Sequence, residues 1–368
     1  ITTKSIEMFR LEHVDNEDKL KVDDLVSKFK QRFDGKLPKY FATAPGRVNL
    51  IGEHIDYCGY SVLPMAIDKR ICAVAAATMN SVVTLKNTNP KYTTGIVDMT
   101  GFDFETEAHT WYKYAMCGIE SVKELFPGVQ LKGMKVLIHG DIPTGCGLSS
   151  SSALVVCGAL ITMAVNGLEI EKDKLAEKCA TCERYVGTSG GGMDQAISCL
   201  AEKGEAKFIS FDPLRLETVK LPQDAMFVIA NSCTSCHKAC TSQYNTRVVE
   251  TRIGSRILAK YLGATRNQFK KIQRPIDVEK AFPTLNRAQL QNETRNRLKP
   301  APYSREDIKN ELLIRDNEVD DNLLTANTKD VHEFKLRDRL LHVYGEADRV
   351  HCFRKLCADP NVTIEELG

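Results

Sequence analysis

Three short segments of the chain combine glycines with residues that can do acid–base or phosphate chemistry. The first, Gly145 to Ala153, places glycines and then four serine hydroxyls at the start of an apolar helix. The unpaired backbone N–H groups and the positive dipole end of such a helix favour an anion, most naturally a phosphate. The segment lacks the Gly-Lys-Ser/Thr of a Walker loop. A Gly/Ser run of this kind is also compatible with a flexible turn or a plain helix cap.

The second segment, Ala44 to Tyr57, concentrates polar side chains between apolar anchors. Arg47, Glu53, His54 and Asp56 fall within ten residues. Together they supply hydrogen-bond donors and acceptors suited to the hydroxyls of a polar ligand. The alternative is a solvated loop on which His54 is an ordinary surface histidine.

The third segment, Gly190 to Gln195, has three glycines followed by Met193 and Asp194. The glycines let the backbone approach a ligand closely and bring one carboxylate beside it. An Asp after glycines is also a common helix cap. Asp194 is therefore a candidate general base only if the other two segments converge on it.

In this order, the three segments resemble the GHMP kinases. Arg47 to Asp56 resembles the galactokinase signature within them, and Gly52 to Ala66 together with Gly190 to Gln195 resembles the N-acetylgalactosamine kinases. The resemblance runs from about Phe41 to the end of the chain and implies an α+β protein with the GHMP kinase fold. It also implies two domains with the active site in the cleft between them.

The resemblance implies a role for each matching residue. Asp194 would be the catalytic base and Arg47 its electrostatic partner. The residues that would bind the sugar are Arg47, Glu53, His54, Asp56, Gly191, Asp194 and Tyr244. Those that would bind ATP are Gly145, Gly147, Ser149, Ser150 and Ser151, with Trp111 and Lys238 assigned by position. Ser150 would also contact Mg²⁺.

The function that follows is ATP-dependent phosphorylation of the C1 hydroxyl of a sugar. The Tyr57 to Tyr60 segment favours N-acetylgalactosamine, with galactose as the alternative. A different class of function, a catalytically inactive sensor that binds sugar and ATP, is the other hypothesis. The serine run and Asp194 favour the enzyme. The lack of the family's third glycine-rich motif before Gly368 favours the sensor and predicts an incomplete second domain.

The positions of the elements follow from periodicity and turn signals. We expect a helix over residues 21–33, an extended segment at 40–43 and a turn at 44–52. Strands are expected at 61–67, 71–77, 82–85, 135–139 and 227–230. Helices are expected at 152–165, 172–186 and 331–357, with another ending near Gly263. We divide the chain into residues 1–220 and 221–368, with a polar helical insertion at about 264–330.

The composition excludes several classes of protein. The 368 residues are 43% apolar and 27% charged, which is typical of globular chains and leaves room for about two domains. A net charge of +2 offers no field for a polyanion, so we expect no nucleic-acid partner. No stretch reaches the about 18 consecutive apolar residues of a membrane span, so we expect no membrane partner. Nothing in the sequence demands more than a monomer, whose expected partners are its sugar substrate and ATP.

Thirteen cysteines and a start without an apolar leader core predict reduced thiols and a cytoplasmic location. Cys179-x-x-Cys182 and Cys233-x-x-Cys236 have a zinc-like spacing. The first pair also recurs with apolar residues at helical spacing, which favours core thiols instead. Seven Lys/Arg and no acidic residue lie between Arg252 and Arg274, and we interpret them as the solvated face of a helix.

Overall fold

The computed structural model describes residues 10–11, 16–222, 225–234, 241–359 and 361–367. Within them, a mixed sheet of seven strands carries helices on both faces, in the strand order β4-β3-β5-β2-β6-β7 with β1 paired to β2. The strands are β1 (Tyr40–Ile51), β2 (Leu63–Ala77), β3 (Val82–Asn87), β4 (Gly95–Asp98), β5 (Met134–Gly140), β6 (Ala206–Ser210) and β7 (Arg215–Val219), with a separate short pair β8 (Tyr303–Ser304) and β9 (Glu333–Phe334).

Helices cover the sheet and form most of the C-terminal half. The first six are α1 (Asn16–Arg32), α2 (Tyr112–Leu125), α3 (Ser150–Asn166), α4 (Lys172–Cys182), α5 (Met193–Leu200) and α6 (Gln243–Tyr261). The remainder are α7 (Arg266–Phe269), α8 (Pro275–Ala281), α9 (Arg287–Arg297), α10 (Arg305–Leu312), α11 (Asp316–Asn322), α12 (Leu336–Cys357) and α13 (Ile364–Leu367). A 3-10 turn over Glu183–Val186 extends α4.

The two faces of the sheet bury different side chains because successive residues of a strand point to opposite sides. Ala73 and Ala75 of β2 face a core formed with α2, α3 and α4. Val74 and Ala76 face a smaller core beneath α1, where Phe29 is fully buried. Helix α3 is buried on nearly every side, as its apolar sequence predicts.

The predicted turn at 44–52 is wrong, because these residues continue β1. They pair with β2 from Tyr40 to Ile51, with register shifts between Pro45 and Arg47 and again before Ile51. A bulge of this kind tolerates Gly and Pro inside a strand and re-aims the side chains next to it. The Pro and Gly residues that suggested a turn mark a bulge within the strand instead. Similarly, the two strands expected at 61–67 and 71–77 are one strand, β2.

The third core joins the β6–β7 end of the sheet to the C-terminal helices. Ile55 and Phe208 pack in one cluster with Ile253 of α6 and Leu340 of α12. The helices expected at 21–33, 152–165, 172–186 and 331–357 are confirmed with shifted ends. The residues 264–330 are largely helical, as predicted. The domain boundary at residue 220 stays a prediction.

Two sequence-based expectations fail in this half. Phe227 to Ala230 is irregular rather than a buried strand, and Met226 and Val228 are each 86% exposed. No described strand pairs with it, and an extended segment without a neighbour is not a strand. The basic stretch from Arg252 is only partly solvated, because Arg256 is buried and its Nε donates to the carbonyl of Ile272 at 2.9 Å.

The cysteines of the first pair belong to the core. Cys179 and Cys182 are fully buried in the cluster beneath α2 and α3, and burial raises the pKa of the Cys182 thiol to about 11. Cys236 lies outside the described residues, while Cys233 is exposed. Across the described ranges, no helix combines the length and the apolar character of a membrane span.

Candidate active site

Residues from all three glycine-containing segments meet in one pocket, which we call the inner pocket. Its lining comprises Arg47, Glu53, His54, Asp56, Ser152, Ala180, Glu183, Thr188, Gly190, Gly191, Gly192, Met193, Asp194, Gln195 and Tyr244. The residues that sequence analysis assigned to the sugar are all among them. The second and third segments, more than a hundred residues apart in the chain, therefore converge as the sequence-based hypothesis requires.

A larger cavity of about 1090 Å³, the outer cavity, adjoins the inner pocket. Glu53, His54 and Tyr244 line both spaces. The residues assigned to the nucleotide that line the outer cavity are Trp111, Gly145, Gly147, Ser149, Ser150 and Ser151. The remaining one, Lys238, lies outside the described residues.

Arg47 joins the two spaces. Its Nε donates to Oδ1 of Asp194 at 2.7 Å, and its Nη1 donates to the carbonyl of Gly147 at 2.6 Å. The Arg47 side chain is 7% exposed and that of Asp194 is 14% exposed. Burial lowers the pKa of Arg47, but the charges of Asp194, Glu53 and Asp56 outweigh burial and raise it overall. The guanidinium is thus a fixed cation between the serine loop and the carboxylate.

The bulge in β1 explains why Arg47 reaches the serine loop. Its backbone N–H donates to the carbonyl of Leu148 at 3.2 Å. A Cβ on the preceding residue, Gly46, would lie 2.8 Å from that same carbonyl oxygen. Only a glycine allows this approach, so the Pro-Gly sequence that suggested a turn instead brings β1 against the loop.

Asp194 is the second residue of α5, and the glycines before it fit closely against the second segment. The Gly191 N–H donates to Oδ2 of Asp56 at 3.2 Å. A Cβ on Gly191 would lie 2.2 Å from the backbone nitrogen of Tyr57, a distance that real side chains do not tolerate. Gly192 begins the helix with φ of 103°, in the left-handed region that favours glycine.

A buried glutamate, Glu183, lies next to Asp194 and was not predicted. Its Oε2 accepts a hydrogen bond from Ser152 Oγ at 2.7 Å and another from the side-chain amide of Gln195. The same Ser152 oxygen lies 3.4 Å from Oδ2 of Asp194. Glu183 falls four residues after Cys179, on the apolar face of that helix. A charged residue on such a face is the sequence signal that would have identified it.

Aromatic side chains form the wall shared by the two spaces. The Tyr244 ring lies 5.3 Å from the His54 ring and 5.7 Å from the Tyr57 ring. His54 Nδ1 and the Tyr57 hydroxyl are 2.9 Å apart. Burial, and then the charge of Asp56, raise the pKa of Tyr244 well above its ordinary value, so its hydroxyl stays protonated and able to donate.

The outer cavity combines a helix start with an aromatic surface. Ser149 precedes α3 with φ of 58°, and its buried Oγ has no hydrogen-bond partner. The rings of Tyr92 and Trp111, which also line this cavity, are 5.7 Å apart, and Trp111 Nε1 donates to the carbonyl of Thr93 at 2.8 Å. Free backbone N–H groups and an aromatic face suit a ligand with phosphates and a flat ring. Sequence analysis missed Tyr92.

Among the described residues, no group of three or more His, Cys, Asp or Glu side chains is arranged to hold a metal ion. A cation in this site would therefore rely on ligand oxygens in addition to protein ones. Serine hydroxyls and carboxylates, the hard oxygen donors that Mg²⁺ prefers, line the two adjoining spaces. The donor set thus fits Mg²⁺ bound together with phosphates.

Comparison with known proteins shows which family the chain belongs to. Residues 27–77 match the galactokinase galactose-binding signature, and residues 113–202 match the GHMP kinase N-terminal domain. The galactokinase of Dictyostelium discoideum is 36% identical over 92% of this chain and 69% of its own length. That of Saccharomyces cerevisiae is 32% identical over 94% of this chain and 74% of its own length.

The fold also has a counterpart among solved structures. Lactococcus lactis galactokinase complexed with galactose superposes with a TM-score of 0.65 at 23% identity. The match covers 93% of this chain and 75% of that one. At this identity the superposition establishes the shared fold.

Proposed function

Since this chain belongs to the galactokinase family of the GHMP kinases, we propose that it transfers the γ-phosphoryl group of ATP to the C1 hydroxyl of galactose. The family consists of sugar kinases, which are phosphotransferases that use ATP. The products would be galactose 1-phosphate and ADP.

The observation that carries this proposal is the position of Arg47 between the two spaces. One guanidinium contacts both Asp194 in the inner pocket and Gly147 in the serine loop. A sugar in the inner pocket and phosphates in the outer cavity would meet at this cation. Phosphoryl transfer depends mainly on such positioning and on neutralising the charge of the phosphates.

In the proposed reaction, Asp194 is the general base. The C1 hydroxyl of the sugar gives its proton to the Asp194 carboxylate while its oxygen forms a bond to the γ-phosphorus, and the bond from that phosphorus to the β,γ-bridging oxygen breaks to release ADP. Oδ1 accepts the hydrogen bond from Arg47, and we assign acceptance of the proton to Oδ2. Arg47 also stabilises negative charge that develops at the phosphoryl group.

The residues proposed to hold the sugar are Glu53, His54, Asp56, Gly191 and Tyr244, with Arg47 and Asp194 at the C1 end. Supporting evidence is their common lining of the inner pocket. Carboxylates accept from sugar hydroxyls, and the protonated Tyr244 can donate to one.

The nucleotide is proposed to occupy the outer cavity, with its phosphates against Gly145, Gly147, Ser149 and Ser151. The unpartnered Oγ of Ser149 and the N-terminus of α3 support this assignment. Trp111 would contact the base, while the role of Lys238 stays a sequence-based prediction. Ser150 would be the protein ligand of Mg²⁺, which, when bound, neutralises phosphate charge.

The comparisons favour galactose over the N-acetylgalactosamine that the Tyr57 to Tyr60 segment suggested. The matched signature is galactose-binding, and the relatives compared above are galactokinases. The acetamido group would replace only the 2-hydroxyl. We expect that part of the sugar to be contacted by segments distant in the chain, so one short motif is weak evidence for it.

The direct test is ADP release by the purified chain with ATP, Mg²⁺ and each sugar. We expect a higher kcat/KM with galactose than with N-acetylgalactosamine. A higher value with N-acetylgalactosamine would overturn the choice of sugar. Binding of sugar and ATP without any ADP release would overturn the enzyme in favour of the inactive sensor.

A further inference from the structure

A carboxylate on the distant helix α12 contacts the turn that follows β1. Oε1 of Glu346 accepts hydrogen bonds from the backbone N–H of Gly52 at 2.8 Å and of Glu53 at 3.1 Å. Almost three hundred residues separate the two partners in sequence. One oxygen thus satisfies two consecutive amides of the segment that carries Glu53 and His54.

The Glu346 side chain is itself held in place. Arg349, one turn later in α12, donates to its Oε2 from both Nε at 2.9 Å and Nη2 at 2.7 Å. Glu346 is 8% exposed, and the neighbouring Val343 and Ala347 are buried in the core. Burial raises the pKa of Glu346, but the amides of Gly52 and Glu53 and the charge of Arg349 lower it below its ordinary value overall. The group is a carboxylate at neutral pH.

A second side chain of α12 contacts the same turn. Nε2 of His342, one turn before Glu346, lies 2.8 Å from the carbonyl oxygen of Glu53. A carbonyl can only accept, so this nitrogen carries the proton and donates. Helix α12 therefore satisfies both amides and one carbonyl of the Gly52–Glu53 turn.

The turn needs such support because its backbone is unusual. Gly52 has φ of 107° and His54 has φ of 61°. A left-handed non-glycine residue is strained and persists where surrounding contacts enforce it. Contacts from α12 are well suited to enforce it, since they act on the backbone and leave the Glu53 and His54 side chains directed to the inner pocket.

We propose that Glu346 is a positioning residue of the sugar site, with His342 as its assistant: together they hold the Gly52–Glu53 turn so that Glu53 and His54 face the sugar. That the inner pocket takes a sugar rests on the proposed function. Neither residue lines the inner pocket, so both act through the backbone of another segment. These contacts also connect helix α12 to the sugar site.

The test compares Glu346→Ala, Glu346→Gln and His342→Ala with Asp348→Ala as the matched control. Asp348 is a carboxylate two residues further along α12 that pairs with Arg287 at 3.2 Å instead of the turn. Loss of the Glu346 hydrogen bonds to the turn should raise the KM for galactose by about tenfold or more, equivalent to the loss of about one charge-assisted hydrogen bond. The KM for ATP should stay within about twofold, because the hydrogen bonds of Glu346 and His342 go to the Gly52–Glu53 turn and to Arg349.

Glu346→Gln retains an oxygen that can accept from both amides, so it should recover most of the affinity for galactose. His342→Ala should give a smaller increase in KM, and Asp348→Ala should give none. Equal galactose KM values for all four variants and the unmodified chain would overturn the proposal. Equal increases in the KM for galactose and for ATP would also overturn it, because they would indicate general damage to the fold.

A second measurement does not depend on activity. Hydrogen exchange of the Gly52 and Glu53 amides should be slow in the unmodified chain and in Asp348→Ala. It should be faster in Glu346→Ala and, if that variant does not fold, in His342→Ala, whereas Glu346→Gln, which keeps an oxygen for both amides, should stay close to the unmodified chain. Exchange of the two amides that is unchanged in Glu346→Ala would refute the proposed role of Glu346. If no sugar were phosphorylated at all, the proposed function would fail while amide exchange still decided the role of Glu346.

Discussion

Replacing Asp194 with Asn isolates proton acceptance from geometry. The amide oxygen of Asn can take the place of Oδ1, which accepts from Arg47 Nε at 2.7 Å. The NH₂ group of Asn would take the place of Oδ2, which lies 3.4 Å from Ser152 Oγ. Unlike Oδ2, the NH₂ group cannot accept a proton. General-base catalysis contributes about 10² to 10⁴ in rate, so kcat should fall by that factor, or about 3 to 5 kcal/mol of activation free energy.

The same change removes the anionic partner of a buried cation. The Arg47 side chain is 7% exposed, so we also expect the free energy of unfolding to fall by about 1 to 3 kcal/mol. Glu53 and Asp56 still act on the Arg47 charge and limit this loss. Sugar binding should therefore survive.

The assay is ADP release at saturating galactose and ATP, with galactose binding measured by calorimetry on the same preparations. Asp316→Asn, which changes a carboxylate that is 83% exposed, is the matched control and should match the unmodified chain. A kcat for Asp194→Asn within about threefold of the unmodified chain would refute Asp194 as the base. Loss of both binding and turnover would instead indicate a structural role for the ion pair.

Three further outcomes follow from the described contacts. Asp56→Ala should weaken galactose binding by about 1 to 3 kcal/mol while calorimetry with ATP shows little change; the reverse pattern would contradict the assignment of the two spaces. Gly191→Ala should lower the melting temperature, because the new methyl would lie 2.2 Å from backbone. Gly190→Ala, with no atom within 4 Å of the added carbon, should not, and equal melting temperatures would contradict the argument. Burial, then nearby arginines, lower the pKa of His351 below 6.5. The unfolded chain therefore binds its proton more readily, and stability should fall as the pH drops below about 6.5 toward the lower folded value. Urea unfolding at about pH 7.5 and 5.5 should show a smaller fall for His351→Gln, and an equal fall would refute this contribution.

The sequence allowed the members of the candidate site to be anticipated because its signals are local. Each glycine-containing segment is short, and its side chains are neighbours along the chain. The partnership of Arg47 with Asp194 was anticipated only from the family resemblance, since no local spacing relates residues 147 positions apart. The buried helix α3 was likewise readable, because a nearly all-apolar helix has to be covered on all sides.

The failures share a physical cause. A segment becomes a strand only where a neighbouring strand is present to pair with it, and local propensity does not determine that. This explains both the strand wrongly expected at Phe227 to Ala230 and the turn wrongly expected at 44–52. Glu183 differs, because a charged residue on an apolar helix face is a signal that the sequence did contain. Glu346 had no such signal, because the backbone amides that it contacts are near it only in the tertiary fold.

The most direct test of the central claim is the identity of the phosphorylated product. The purified chain should be incubated with galactose, ATP and Mg²⁺, and the product analysed by ¹H and ³¹P nuclear magnetic resonance. The proposed function predicts a phosphate coupled to the anomeric proton, which identifies galactose 1-phosphate, and no such signal with Asp194→Asn over the same interval. Phosphate on another hydroxyl, or no phosphorylated sugar from an otherwise folded chain, would contradict it.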